Sequence, residues 1–284
     1  MEAQPSGPQP GQNQNRTLLF VGGGLLLLVV LACCALAVIG TLLGAFRTIG
    51  VRPAGRVTDT LERRVAVEAP LVLTIDNPVG EITLKPDATG EVRVKATRFA
   101  PSQETLDQIN VNLRGSGGQT TVEVTGPQGR SNWGTNLVVH VPPQTGATIE
   151  VGVGKIRLDG LEGGFSVRSG VGDIVAQDLT VHEDAEFEAG TGDMELGAAL
   201  DEGVTLRANS GVGAISIGLP ADMGSELDAS TGTGNITLQG FDLEEGQHRD
   251  RAVGDEIHSR TVADPNGRHL ILSTGVGDIL IRAR

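Results

Sequence analysis

Apolar and polar residues alternate in short runs along most of the chain after Val65, and a recurring Gly-x-Gly punctuates the runs. It falls at Gly152-Val153-Gly154, Gly170-Val171-Gly172, Gly190-Thr191-Gly192, Gly211-Val212-Gly213, Gly232-Thr233-Gly234 and Gly275-Val276-Gly277. The spacing is about twenty residues, with about two periods before the last unit, and a fixed period in this range marks a repeat architecture. Apolar residues stand five and three places before the first glycine: Ala147/Ile149, Phe165/Val167, Ala185/Phe187, Leu206/Ala208, Leu227/Ala229 and Leu270/Leu272. They return four and six places after it: Ile156/Leu158, Ile174/Ala176, Met194/Leu196, Ile215/Ile217, Ile236/Leu238 and Ile279/Ile281. Spacing by two is the inward face of a half-buried strand.

The two pairs are an odd number of places apart, so a continuous strand would turn the second pair outward. The Gly-x-Gly is therefore read as a corner that resets the facing, with glycine supplying the backbone angles. Val or Thr always lies between the glycines, and it is expected to fill the corner from inside. One unit buries too little surface to stand alone, whereas stacked units share a core. The pattern predicts an all-β fold, a parallel β-helix or β-solenoid with about twenty residues per turn. An antiparallel sandwich is the rival. The corner recurs in one form rather than in alternating forms, which favours the solenoid.

The regular repeats occupy 147–284, and 65–146 is an irregular N-terminal part. There Leu73, Ile75, Ile82 and Leu84 flank Pro78-Val79-Gly80 as a first copy of the repeat. Strands are predicted at Val92/Val94, Val111/Leu113, Val122/Val124 and Leu137/Val139/Val141, with loops at Gly115–Gly118 and Gly126–Gly134. One helical turn is predicted at Ser102–Gln108, N-capped by Ser102. Phe241–Gly267 interrupts the repeat, either as a long loop or, through Val253-Gly254-Asp255, as a decayed corner. The last strand is expected to be an edge guarded by Arg282 and Arg284, or a docking surface.

Residues 17–46 carry no charge. That length exceeds the ~20 residues that span a bilayer, so the segment is predicted to be one uncleaved transmembrane helix. Residues 1–16, rich in Pro, Gln, Gly and Asn, read as a disordered tail. Residues 47–64 read as a linker broken by Pro53 and Gly55, and 65–284 as the β domain. Arg47, Arg52 and Arg56 outweigh Arg16, which by the positive-inside rule favours a cytoplasmic C-terminal side. The only cysteines, Cys33 and Cys34, lie in the apolar segment and give no disulfide framework.

Forty-one glycines, one Trp and no Tyr imply a core of small and β-branched residues. The net charge of −13 argues against a nucleic-acid partner. Asp173, Asp193, Asp278 and Asn235 recur just after the corner and are expected to form a column. That column reads as a calcium ladder or as Asx-type hydrogen bonds closing the corners. Lys155 and Ala214 break it and favour the second. His140, His182, His248, His258 and His269 show no metal-ligand spacing, and no helix follows the glycines to hold a phosphate. Carboxylate pairs of a glycan-cleaving β-helix would lack aromatic platforms here. No catalytic, metal or cofactor-binding residue is assigned. The marked positions are the corner glycines Gly80, Gly152, Gly154, Gly170, Gly172, Gly190, Gly192, Gly211, Gly213, Gly232, Gly234, Gly275 and Gly277. Trp133 and Phe241 are candidate contact residues in loops, or packing for those loops.

The run Val139-His140-Val141-Pro142-Pro143, then Ala147–Ile156, then Ser169-Gly170-Val171-Gly172-Asp173-Ile174, resembles the bacterial putative-adhesin family of unknown function. Its members carry a "VP" strand and serial T/S-G-x-G-D-I units, often behind one N-terminal membrane helix. The resemblance covers about Val65–Arg284. It implies a β-solenoid-like domain outside the cytoplasmic membrane, without established catalytic residues. Taken together, the expectation is a single-pass, non-catalytic binding or adhesion module of the cell envelope that meets a cell-wall polymer, a peptide or an envelope protein. The alternatives are an envelope-stress sensor or regulator and, last, a glycan-active enzyme.

Overall fold

The computed structural model describes residues 56–129, 132–241, 247–250, 254–260 and 266–284. The segment read as a transmembrane helix lies outside the described residues, as does the tail before it. Among the described residues no helix is long and apolar enough to cross a membrane.

The protein is all-β apart from one helical turn. Its first strands are β1 (Val57–Ala66), β2 (Leu71–Val79), β3 (Ile82–Pro86) and β4 (Glu91–Ala100). After α1 (Gln103–Leu106) come β5 (Asn110–Ser116), β6 (Gln119–Thr125) and β7 (Gly134–Val141). The regular repeats supply β8 (Thr145–Val153), β9 (Ile156–Asp159), β10 (Glu162–Gly163), β11 (Phe165–Val171), β12 (Ile174–Val181), β13 (Ala185–Thr191) and β14 (Met194–Leu200). They continue through β15 (Thr205–Val212), β16 (Ile215–Leu219), β17 (Glu226–Thr233) and β18 (Ile236–Gln239). Last come β19 (Gln247–Asp250), β20 (Asp255–Arg260), β21 (His269–Val276) and β22 (Ile279–Ala283). Ser102 N-caps α1, its hydroxyl accepting from the Thr105 amide.

Each repeat gives one strand to each of two sheets. One sheet runs β1-β4-β7-β3-β9-β12-β14-β16-β22-β18, with β10 beside β12; the other runs β19-β20-β17-β21-β15-β13-β11-β8-β2-β6-β5. Successive repeats pair in parallel and in register, so Val167 lies between Ile149 and Phe187, and Ala176 between Leu158 and Leu196. The apolar pairs face inward between the sheets and are buried, Leu238 only partly. Bulk is balanced along each column. Phe165 sits between Ala147 and Ala185, and Phe187 between Val167 and Ala208, so large and small side chains interdigitate at core density.

Four features differ from the sequence reading. First, β1 begins at Val57 and pairs antiparallel with β4, so the strand starts inside the stretch read as a linker to 64. Second, the stacking order departs from the sequence order at both ends: β6 and β7 stack outside β2 and β3, and β21 and β22 slot between the repeats before them, β15/β16 and β17/β18. Third, β22 is therefore not an edge; Arg284 reaches back to Asp178 at 3.0 Å and Arg282 to Glu195 at 3.6 Å. Fourth, the interruption at 241–267 is neither a plain loop nor a further parallel turn, because β20 pairs antiparallel with β17, and β19 with β20. That cap explains the slot. It occupies the outer edge of β17, so β21 has only the inner side left to pair with.

Candidate binding face

The corner works differently from the sequence expectation. The residue between the glycines points outward: Val153, Val171, Val212 and Val276 are 50%, 51%, 50% and 50% exposed. Alternation holds up to the first glycine, which faces out, and the facing is reset between it and the next residue, so that Gly170 and Val171 are both exposed. The inside of the corner is filled by the residue before the first glycine instead. Ser169, Ser210, Thr231 and Thr274 are buried there. Their hydroxyls donate to the second-glycine carbonyl of the adjacent turn, at 3.3, 3.2, 2.9 and 2.9 Å. A small hydroxyl at this place was visible in the sequence, but its facing depends on where the reset occurs.

Both glycines are required, for different reasons. Gly172 has φ +144°, and a Cβ on it would lie 2.0 Å from the Gly154 carbonyl oxygen. Gly170 has no positive φ, but its Cβ would lie 2.5 Å from the Gly152 oxygen. Adjacent turns thus touch backbone to backbone at every corner.

Three parallel rows follow on the outer surface. The first is a ridge of β-branched side chains in register: Val79, Val153, Val171, Thr191, Val212, Val276 and Thr233. Beside it runs a trough of about 600 Å³ floored by Gly152, Gly170, Gly190 and Gly211. The third row walls the trough with Glu150, Arg168, Glu188, Asn209 and Ser273. Arg168 donates to Glu188 and Glu186, both at 2.7 Å, and these carboxylates hold its guanidinium above the ordinary arginine pKa.

The first turn has Pro78 in place of the trough glycine, and here the face opens into a groove of about 810 Å³. Val79, Val153, Val124, Pro78, Phe99 and Trp133 line it, with Asp76 and Arg56. The Arg56 guanidinium stands 4.0 Å from the centroid of the Phe99 ring. Asp76 lies between Glu123 and Glu150 in register. Burial first, then those two carboxylates, push its pKa up. Trp133 is 9% exposed, and its indole N–H donates to the Pro127 carbonyl at 3.2 Å. It packs under its own loop and gives the groove only an edge. Phe241 is part-buried against Leu219, Leu227, Leu238, Leu270 and Ile281, where it closes the core. The sequence reading missed Phe99. It breaks the inward period Val92/Val94/Ala96 of β4, and that break is the signal that could have found it.

The post-corner column exists and bonds from turn to turn. Asp173 Oδ1 accepts from the Asp193 amide at 3.2 Å, Asp193 Oδ1 from Ala214 at 2.8 Å, and Asp278 Oδ1 from Asn235 at 2.9 Å. Lys155 donates to Asp173 at 3.2 Å. That bond, then the Asp193 amide, hold Asp173 below the usual carboxylate range. Among the described residues no cluster of three or more His, Cys, Asp or Glu side chains is placed to hold a metal ion. His182 pairs with Asp201, His258 with Asp228 and His269 with Glu226. Asp255 caps the stack, its carboxylate accepting from the Ile236 amide at 3.2 Å.

No protein-family model matches the sequence, and no curated protein matches it. Similar solved structures exist. A putative cell adhesion protein from Clostridium sporogenes is 15% identical, with a TM-score of 0.45, over 80% of this chain and 100% of that one. A putative adhesin from Bacteroides fragilis is 16% identical, with a TM-score of 0.37, over 78% and 97%. A putative adhesin from Parabacteroides merdae is 10% identical, with a TM-score of 0.33, over 80% and 96%.

Proposed function

We propose that this protein is a non-catalytic binding or adhesion module of the bacterial cell envelope, and that its repeats form a β-solenoid. The segment 17–46 anchors it in the cytoplasmic membrane, and residues from Val57 onward lie outside that membrane. The ridge and trough of the outer face hold an extended polymer of the envelope. The observation that carries the reading is the outward column of β-branched residues. In-register β-branched neighbours pack on one another along the stack, and their half-exposed apolar tops form a continuous strip open to a partner. The glycine floor keeps the space beside the column clear.

The test is cosedimentation of the full chain, in detergent, with isolated cell walls. A Val171→Lys/Val212→Lys variant breaks the apolar column at two exposed sites. It should retain its β-type circular dichroism and lose at least about tenfold in binding, the effect of ~1.4 kcal/mol. Unchanged binding would remove the ridge from the account. Protease shaving of intact cells and of spheroplasts tests the topology: a C-terminal tag protected in both places the domain in the cytoplasm, as the flanking arginines suggest.

A further inference from the structure

We propose that the groove at the first turn, continued by the trough, binds a proline-rich polypeptide in the polyproline II conformation with a basic residue near one end. The inference deepens the binding reading above and rests on it.

The backbone of the floor sets the first condition. Each strand from β2 to β21 in this sheet is paired on both sides, so a ligand cannot join the sheet by strand addition. It must carry its own backbone without strand partners. Polyproline II does so, because its backbone is solvated and has no internal hydrogen bonds. The period sets the second. Neighbouring strands lie about 4.8 Å apart, so every second ridge residue recurs at about 9.6 Å. A polyproline II helix brings residues i and i+3 to the same side every 9.3 Å or so. An extended strand repeats its facing about every 6.7 Å and falls out of step at once.

Charge sets the third condition. Asp76, Glu123 and Glu150 have no ion-pair partner among the described residues. Asp76 stands in register between the other two carboxylates, and after burial it is Glu150 and then Glu123 that push its pKa up. The guanidinium of Arg56 over Phe99 shows in this groove the stacking that a ligand arginine would make. Pro78, Val79 and Val153 supply an apolar wall for proline rings. A second copy of the chain fits less well. The ridge is one side chain wide and about 29 Å long at this spacing, well short of the ~800 Å² per partner of a stable interface.

The experiment is fluorescence anisotropy of the full chain in detergent with a labelled peptide of about twelve residues, proline at every third position and arginine at one end. Saturable binding is expected. It should weaken at least about tenfold with Val153→Lys, and similarly with Asp76→Asn/Glu150→Gln, while the circular dichroism stays that of the parent. All three sites are exposed, and Val171→Lys serves as an independent ridge variant. Equal binding of a peptide with glycine in place of proline reduces the interaction to charge and overturns the inference. So does preferential binding of a glucosamine oligomer. Cell walls bound without the peptide overturn this inference and leave the broader reading intact. Loss of both removes both.

Discussion

Gly172 carries two constraints at once, a positive φ and a carbonyl oxygen 2.0 Å from where its Cβ would stand. Gly170 carries only the close approach. Gly172→Ala should therefore cost more, about 3 kcal/mol or above, and Gly170→Ala less. Urea unfolding of both variants checks the order, and equal costs would mean that the corner backbone relaxes. Protonation reports on side chains in the same way. The pKa of Asp173 is depressed in the folded state by Lys155 and the Asp193 amide. Its contribution is present above the unfolded carboxylate value near 3.9 and is lost as pH falls through the lower folded value. His258 has the opposite sign. Asp228 raises its pKa, so its contribution is complete below about 6.5 and is lost as pH rises through the folded value. Amide exchange of Ile257 in β20 should accordingly be better protected at pH 5.5 than at pH 8, after correction for intrinsic exchange. Identical protection at both would detach the cap from this pair.

At the scale of the element, the strands were largely legible in the sequence because alternation is a local signal. The buried pairs Ala147/Ile149 through Leu270/Leu272 stand where the period put them. The facing of Val153 and its equivalents was not legible. It turns on where within the Gly-x-Gly the strand resets, and the sequence pattern is the same either way. The hydroxyls of Thr231 and Thr274 show what the neighbouring residue does instead, each satisfying a carbonyl of the adjacent turn at 2.9 Å. Thr274→Val keeps the volume and removes that donor, and should destabilise by about 1 kcal/mol. Phe187→Ala deletes one of the largest fully buried side chains in a column with Val167 and Ala208 beside it. It should cost about 3–5 kcal/mol. Thermal or urea unfolding ranks the two, and a Phe187 cost below that of Thr274 would contradict the packing described.

At the scale of the whole molecule, order along the stack shapes the outer face. The three rows are continuous only because every turn pairs in parallel with its neighbours and in the same register. Sequence spacing gave the turns but not their order, since β17 and β21 carry the same pattern and either could follow β15. The antiparallel cap decides it, and that cap draws on Asp255–Arg260, a segment without repeat periodicity. The groove was likewise hidden, because Asp76, Phe99, Trp133 and Val153 come from four separate stretches that only the stack brings together. Spin labels on the ridge test this arrangement most directly, at sites where the side chains already face solvent. Labels at Val212 and Val276 sit on adjacent strands, about 4.8 Å apart in the backbone, whereas Val212 and Thr233 are two strands apart. Strong nearest-neighbour broadening for Val212/Val276, and weaker broadening for Val212/Thr233, is the expected result. The reverse order would contradict the stacking order, and no coupling in either pair would contradict the continuous outward column on which the proposed binding face rests.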